Sequence, residues 1–179
     1  MKPLVALSIA VGVLAGVATW VSLTFGLLVW ALFVAYASFF HCGGDANALK
    51  TSAINNVFGA FMAWIAAMVL VKVPVPGLGN GWPAIVVCVT AAILVLAAHV
   101  KSLSAIPAGF YGYASTFAYL LMAKDALTPD ALTKLNMQNG FIGVSVAMIV
   151  GNIFGFLTGK LSAAMQQSAP KPAAQAKAA

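Results

Sequence analysis

Five side-chain amides lie inside or at the edge of strongly apolar sequence: Asn55, Asn56, Gln138, Asn139 and Asn152. An amide carries two donors and a carbonyl acceptor, and one left unpaired in hydrocarbon costs on the order of several kcal/mol. Each must therefore face protein or water. Two roles fit these residues. One is structural, as an interhelical hydrogen bond or a cap at a helix start. The other is functional: Asn55 with Asn56, and Gln138 with Asn139, would mark the two ends of a polar path through a membrane, and Asn152 would continue its lining.

Tyrosine and serine recur in a related pattern. "FVAYASFF" (33–40) and "FYGYASTF" (110–117) share Phe-x-x-Tyr-Ala-Ser. Positions i, i+3 and i+7 share a helix face, so Phe33, Tyr36 and Phe40 form one stripe, and Phe110, Tyr113 and Phe117 a second. As core, the stripes are packing. As a functional feature, two stripes crossing near the midplane would place the Tyr36 and Tyr113 hydroxyls in a narrow constriction that passes small uncharged solutes and resists hydrated ions. Ser38 and Ser115 are expected to bond back to their own helix backbones.

Ionisable chemistry is scarce. His41 and His99 stand near span ends without a carboxylate at helical spacing; Asp45 lies four residues beyond His41 but follows Gly43-Gly44. His41 and Asp45 are the candidates for gating or a proton relay. No span carries Asp, Glu, Arg or Lys near its centre, whereas coupled carriers usually keep one at membrane depth. There is no phosphate loop, no nucleophile with a base and no metal-ligand cluster, and Cys42 and Cys88 form no CxxC. An enzyme is not expected, nor a cofactor or metal.

The elements that must position these residues follow from composition. Of 179 residues, 63% are hydrophobic and 7% charged, and the mean hydropathy is +1.01. That leaves too little polar surface for a water-soluble domain. All nine basic residues are Lys, and they stand at the ends of apolar segments rather than clustered with aromatics, so the net charge of +6 is a topology signal and not a nucleic-acid footprint. With about 20 apolar residues needed per crossing, six spans are expected: 4–21, 24–42, 52–72, 82–100, 104–123 and 138–161. The first reads as a helix rather than a cleaved signal, because apolarity continues to Phe40. Thr128-Pro129 begins a short surface helix. The expected class is an all-α, polytopic membrane protein with a transmembrane domain over 1–163 and a disordered basic tail over 164–179. Lys2, Lys50, Lys101, Lys160, Lys171 and Lys177 against Lys72, Lys124 and Lys134 place both termini in the cytoplasm.

The paired stripes belong to a longer match. Asn55, Gly59, Ala63 and Ala67 align with Asn139, Gly143, Ala147 and Gly151. Two repeats of three spans, about 3–73 and 80–161, must enter the membrane from opposite sides, giving an inverted repeat. Gly12, Gly16, Gly59, Gly143, Gly151, Gly155 and Gly159 form small-residue strips suited to close helix packing, within a protomer or between protomers.

The six spans, with "SAINNVFGA" (52–60), "GFYGYASTFAY" (109–119) and "NGFIGVSVAMIVGNIFG" (139–155), resemble the small bacterial inner-membrane proteins typified by YcdZ, a family with a domain of unknown function. The resemblance runs to about Leu161 and implies a bacterial inner membrane; it carries no substrate or site residue. From the residues themselves, the expected function is a passive channel or facilitator for small uncharged polar solutes of the urea, short-amide or small-polyol class. The expected partners are the bilayer, the solute and further copies of the chain. The alternatives are a proton-coupled transporter of a small metabolite and a non-transporting membrane scaffold.

Overall fold

The computed structural model describes residues 1–167, all helix and connection. The helices are α1 (Pro3–Phe25), α2 (Val29–His41), α3 (Ala46–Lys72), α4 (Gly81–Leu96), α5 (Ile106–Met122), α6 (Pro129–Thr133) and α7 (Gly140–Gln167), with short 3-10 turns at Pro76–Leu78, Ala97–His99 and Lys101–Leu103. Proline stands in the first turn of α1, α5 and α6, where a missing N–H costs nothing and φ is already helical. Asp45 caps α3 by accepting from Ala48 N at 2.7 Å, and Thr128 caps α6 through Ala131 N, as its sequence predicts.

Among the described residues, four helical stretches are long and apolar enough to cross a membrane: Pro3–Phe25, Ala46–Lys72, Gly81–His99 and Gly140–Gln166. The other two expected spans are shorter. With 13 and 17 residues, α2 and α5 rise about 20 and 26 Å, against a hydrocarbon core of about 30 Å. The expected second span begins at residue 24, but Gly26 ends α1 in the left-handed conformation (φ 67°), with Leu27 N closing onto Ser22 O at 2.8 Å. Apolarity runs through this break, so hydropathy does not see it. Gly43 and Gly44, also at positive φ, turn the chain from α2 into α3.

The short helices each lie along a long one. Tyr113 of α5 joins Met62 and Ala63 of α3, and Leu120 joins Ala67, so α5 and α3 run parallel. Along the other pair, Gly151, Gly155 and Gly159 of α7 face Leu32, Phe39 and Gly44 in turn, so α2 and α7 also run parallel. Phe61 and Trp64 of α3 meet Phe141 of α7, while α1 packs on α7 and α4 on α3.

Small residues set these distances. A Cβ on Gly59 would collide with Gly109 O, one on Gly112 with Asn56 O, and one on Gly151 with Leu32 O. Such approaches give helices in lipid their dispersion contacts. Gly12 and Gly16 differ: nothing lies within 4 Å of a Cβ on either, so this strip faces out and packs against nothing within the protomer. α1 turns Ala6, Ala10, Ala18 and Ser22 inward instead. At the C-terminal end, residues 164–167 belong to α7 rather than to a disordered tail; residues 168–179 lie outside the described residues.

Candidate functional site

The polar residues of the bundle meet where α2, α3, α5 and α7 approach. On α3, Ser52 and Asn56 are four residues apart and share a face, and Ser52 Oγ donates to Asn56 Oδ1 at 3.2 Å. Ser38 of α2 lies 2.7 Å from Ser52, hydroxyl to hydroxyl. Asn56 Nδ2 donates to Ser38 Oγ at 3.1 Å and to the Ala108 carbonyl of α5 at 2.9 Å. From α7, Asn152 Nδ2 donates to Asn56 Oδ1 at 2.9 Å and to its own helix at Met148 O. Four helices are thus pinned through one amide.

All four side chains of this cluster are fully buried. The Asn56 groups are all satisfied, but Asn152 Oδ1 has no hydrogen-bond partner among the described residues. A buried amide oxygen without a donor is costly, on the order of 1–3 kcal/mol, and uncommon enough to call for an explanation. The cluster contains no charged group; the Cys42 thiol adjoins it through Ser38 and Ser52. It is an amide–hydroxyl cluster in which one acceptor, Asn152 Oδ1, is unused among the described residues.

The other amides hold backbone rather than one another. Asn55 Nδ2 donates to Thr51 O and, at 3.0 Å, to Ser102 O in the turn before α5. Asn139 Nδ2 donates to Leu132 O at 2.9 Å and Lys134 O at 3.0 Å, tying the end of α6 to the start of α7. Gln138 is exposed, and its carbonyl accepts from the Tyr119 hydroxyl. So Asn56 and Asn152 come together, while Asn55, beside Asn56 on α3, turns to the Ser102 carbonyl, and Gln138 and Asn139 sit apart at the start of α7.

The aromatic stripes form as spaced: Phe33–Tyr36 and Tyr36–Phe40 rings lie 6.1 and 5.7 Å apart, Phe110–Tyr113 and Tyr113–Phe117 rings 6.3 and 5.0 Å. Their hydroxyls go to different helices. Tyr36 bonds Thr158 of α7, and Tyr113 lies 2.8 Å from Thr90 of α4. His41 Nδ1 pairs with the Tyr111 hydroxyl at 2.8 Å on the exposed surface, and Asp45 is occupied as the α3 cap. Ser38 bonds across helices, not back to its own.

Ser52 and Thr158 were not singled out from sequence. The signal was present for Ser52, a hydroxyl four residues before Asn56; Thr158 has only its polarity within "IFGFLTGK".

Residues 8–163 match the model of a family described as protein of unknown function, DUF1097. No curated protein matches the chain, and no solved structure does. The chain belongs to the DUF1097 family.

Proposed function

We propose that this family member is a passive facilitator for small uncharged polar solutes, with the Asn56–Asn152 cluster as the element that selects them. The observation that carries the reading is Asn152 Oδ1, buried and unpartnered within a charge-free set of amides and hydroxyls. A solute such as urea or a short amide would donate to that oxygen and exchange hydrogen bonds with Ser38 and Ser52. An ion would lose its hydration without a compensating charge, and is excluded by that cost.

Asn56 and Asn152 are closed off by the surrounding helices, so passage requires α2 or α5 to shift against its long partner. These two short elements occupy corresponding places in the two halves of the chain, a pattern that points to the working site in membrane transporters. The 3+3 inverted repeat is part of this proposal. It is supported by the pairing of α2 with α7 and α5 with α3, and of α1 with α7 and α4 with α3, each exchanged for the other when the halves are swapped. In that arrangement Gln138 and Asn139 stand at one mouth and Asn55 beside the cluster, with Tyr36 and Tyr113 flanking it. Gly12 and Gly16 remain open for packing between protomers. Location in a bacterial inner membrane, as the resemblance to the YcdZ-like proteins implies, and cytoplasmic termini, as the lysine balance implies, complete the reading.

A second reading, proton-coupled transport, rests on the His41–Tyr111 hydrogen bond, which joins α2 to α5 at the surface. Solute flux into proteoliposomes, followed by light scattering with and without a proton gradient, separates the two: facilitated flux is indifferent to the gradient, and coupled flux collapses with it.

A further inference from the structure

Two lysines from different segments line one open pocket at the end of the bundle where α3 begins. Lys50 is in the first turns of α3 and Lys101 in the 3-10 turn before α5; Thr51, Ile54, Val100 and Ser102 complete a space of about 410 Å³. Asn55 fixes the two segments together through its bond to Ser102 O. Neither ammonium makes an ion pair among the described residues, where Lys134–Asp130 is at the opposite end of the bundle.

Ile54 also lines a second, almost wholly apolar groove of about 480 Å³ between α3 and α7, with Ala53, Val57, Phe58, Phe61, Phe141 and Ile149. Lys50, Ile54, Val57 and Phe61 follow the i, i+4, i+7, i+11 stripe of one helix face. The twelve residues from Lys50 to Phe61 rise about 16 Å along α3, roughly half of the ~30 Å core. The positive pocket therefore joins, through Ile54, an apolar groove that runs along α3 past Phe61 to Phe141 in the first turn of α7.

We propose that this continuous surface is a binding site for one anionic glycerophospholipid. Its phosphate sits between Lys50 and Lys101, and an acyl chain lies along the α3–α7 groove. Charge complementarity selects the headgroup, since a zwitterionic lipid brings a cation toward the two ammonium groups. The inference does not depend on what the Asn56–Asn152 cluster passes.

The test is native mass spectrometry of the full chain released from detergent with an equimolar mixture of phosphatidylglycerol and phosphatidylcholine. The wild type retains phosphatidylglycerol preferentially. Lys50→Gln with Lys101→Gln weakens that retention by about tenfold or more, while Lys72→Gln with Lys124→Gln, at the other end of the bundle, leaves it unchanged. Val57→Trp, which fills the groove and keeps both lysines, abolishes it, and this variant decides alone if the double lysine variant does not fold. Equal retention of the two lipids, unchanged retention in Lys50→Gln/Lys101→Gln or Val57→Trp, or displacement by millimolar inorganic phosphate would each overturn the proposal, the last by showing a free-anion site.

Discussion

Asn152 of α7 donates its amide to the Asn56 carbonyl of α3 at 2.9 Å across 96 residues of chain, and in doing so leaves its own oxygen without a donor. The pair is asymmetric: Asn56 is saturated by Ser38, Ser52, Ala108 and Asn152, whereas Asn152 is half used. One residue therefore builds the site, and the other offers a hydrogen bond within it.

That asymmetry separates two substitutions. Asn56→Leu strips the buried Ser38, Ser52 and Asn152 side chains of their bonds to it, and is expected to lower stability by about 1–3 kcal/mol. Asn152→Leu removes an unsatisfied oxygen along with its two bonds and is expected to cost less. A double-mutant cycle should give a coupling of about 1 kcal/mol, in the range found between transmembrane helices. Thermal unfolding in detergent measures all four proteins; strict additivity would contradict the bond.

The glycines divide just as sharply. Gly59→Ala, Gly112→Ala and Gly151→Ala each force a methyl into facing backbone, with an expected loss of about 1–3 kcal/mol or failure to assemble. Gly12→Ala and Gly16→Ala meet open space, and the protomer's unfolding midpoint should not fall. A change in oligomer size for these two alone, read by size-exclusion chromatography with light scattering, would mark α1 as the contact between protomers.

Asp45 tests coupling. Asp45→Ala removes the α3 cap and should cost about 1 kcal/mol, whereas Asp45→Asn keeps a capping oxygen. If transport is passive, Asp45→Asn has wild-type flux at every imposed pH gradient. Loss of flux in this folded variant would favour the coupled reading.

Membrane sidedness is open to cysteine labelling. Residues 104 and 135 flank α5 at its two ends, and Ser104 and Leu135 are both exposed. In a Cys42→Ala/Cys88→Ala background, Leu135→Cys should react with a membrane-impermeant maleimide in intact cells, and Ser104→Cys only after permeabilisation. Labelling of both from one side would mean that α5, at 17 residues, does not cross.

Class and helix content are legible in the sequence because hydropathy integrates over many residues, and one misplaced side chain does not alter it. The break at Gly26 is not legible, since "TFGLLVW" stays apolar while the backbone turns left-handed. The amides show the same divide. That Asn55 and Asn139 must be satisfied follows from their type; that they bind Ser102, Leu132 and Lys134 carbonyls depends on where three connections fold. Ser38 is the instructive residue. Two positions past Tyr36, it lies on another helix face, so when Tyr36 meets α7 it is Ser38 that reaches α3, and only the tertiary arrangement decides between that bond and its own backbone.

The most direct test of the facilitator is stopped-flow light scattering on proteoliposomes challenged in turn with urea, formamide, acetamide and glycerol, for wild type and for Asn152→Leu verified as folded by its unfolding midpoint. The account predicts faster volume recovery than empty liposomes for at least one of these solutes, and a return to the empty-liposome rate in Asn152→Leu. Wild-type rates equal to those of empty liposomes for every solute, or acceleration undiminished in Asn152→Leu, would contradict it.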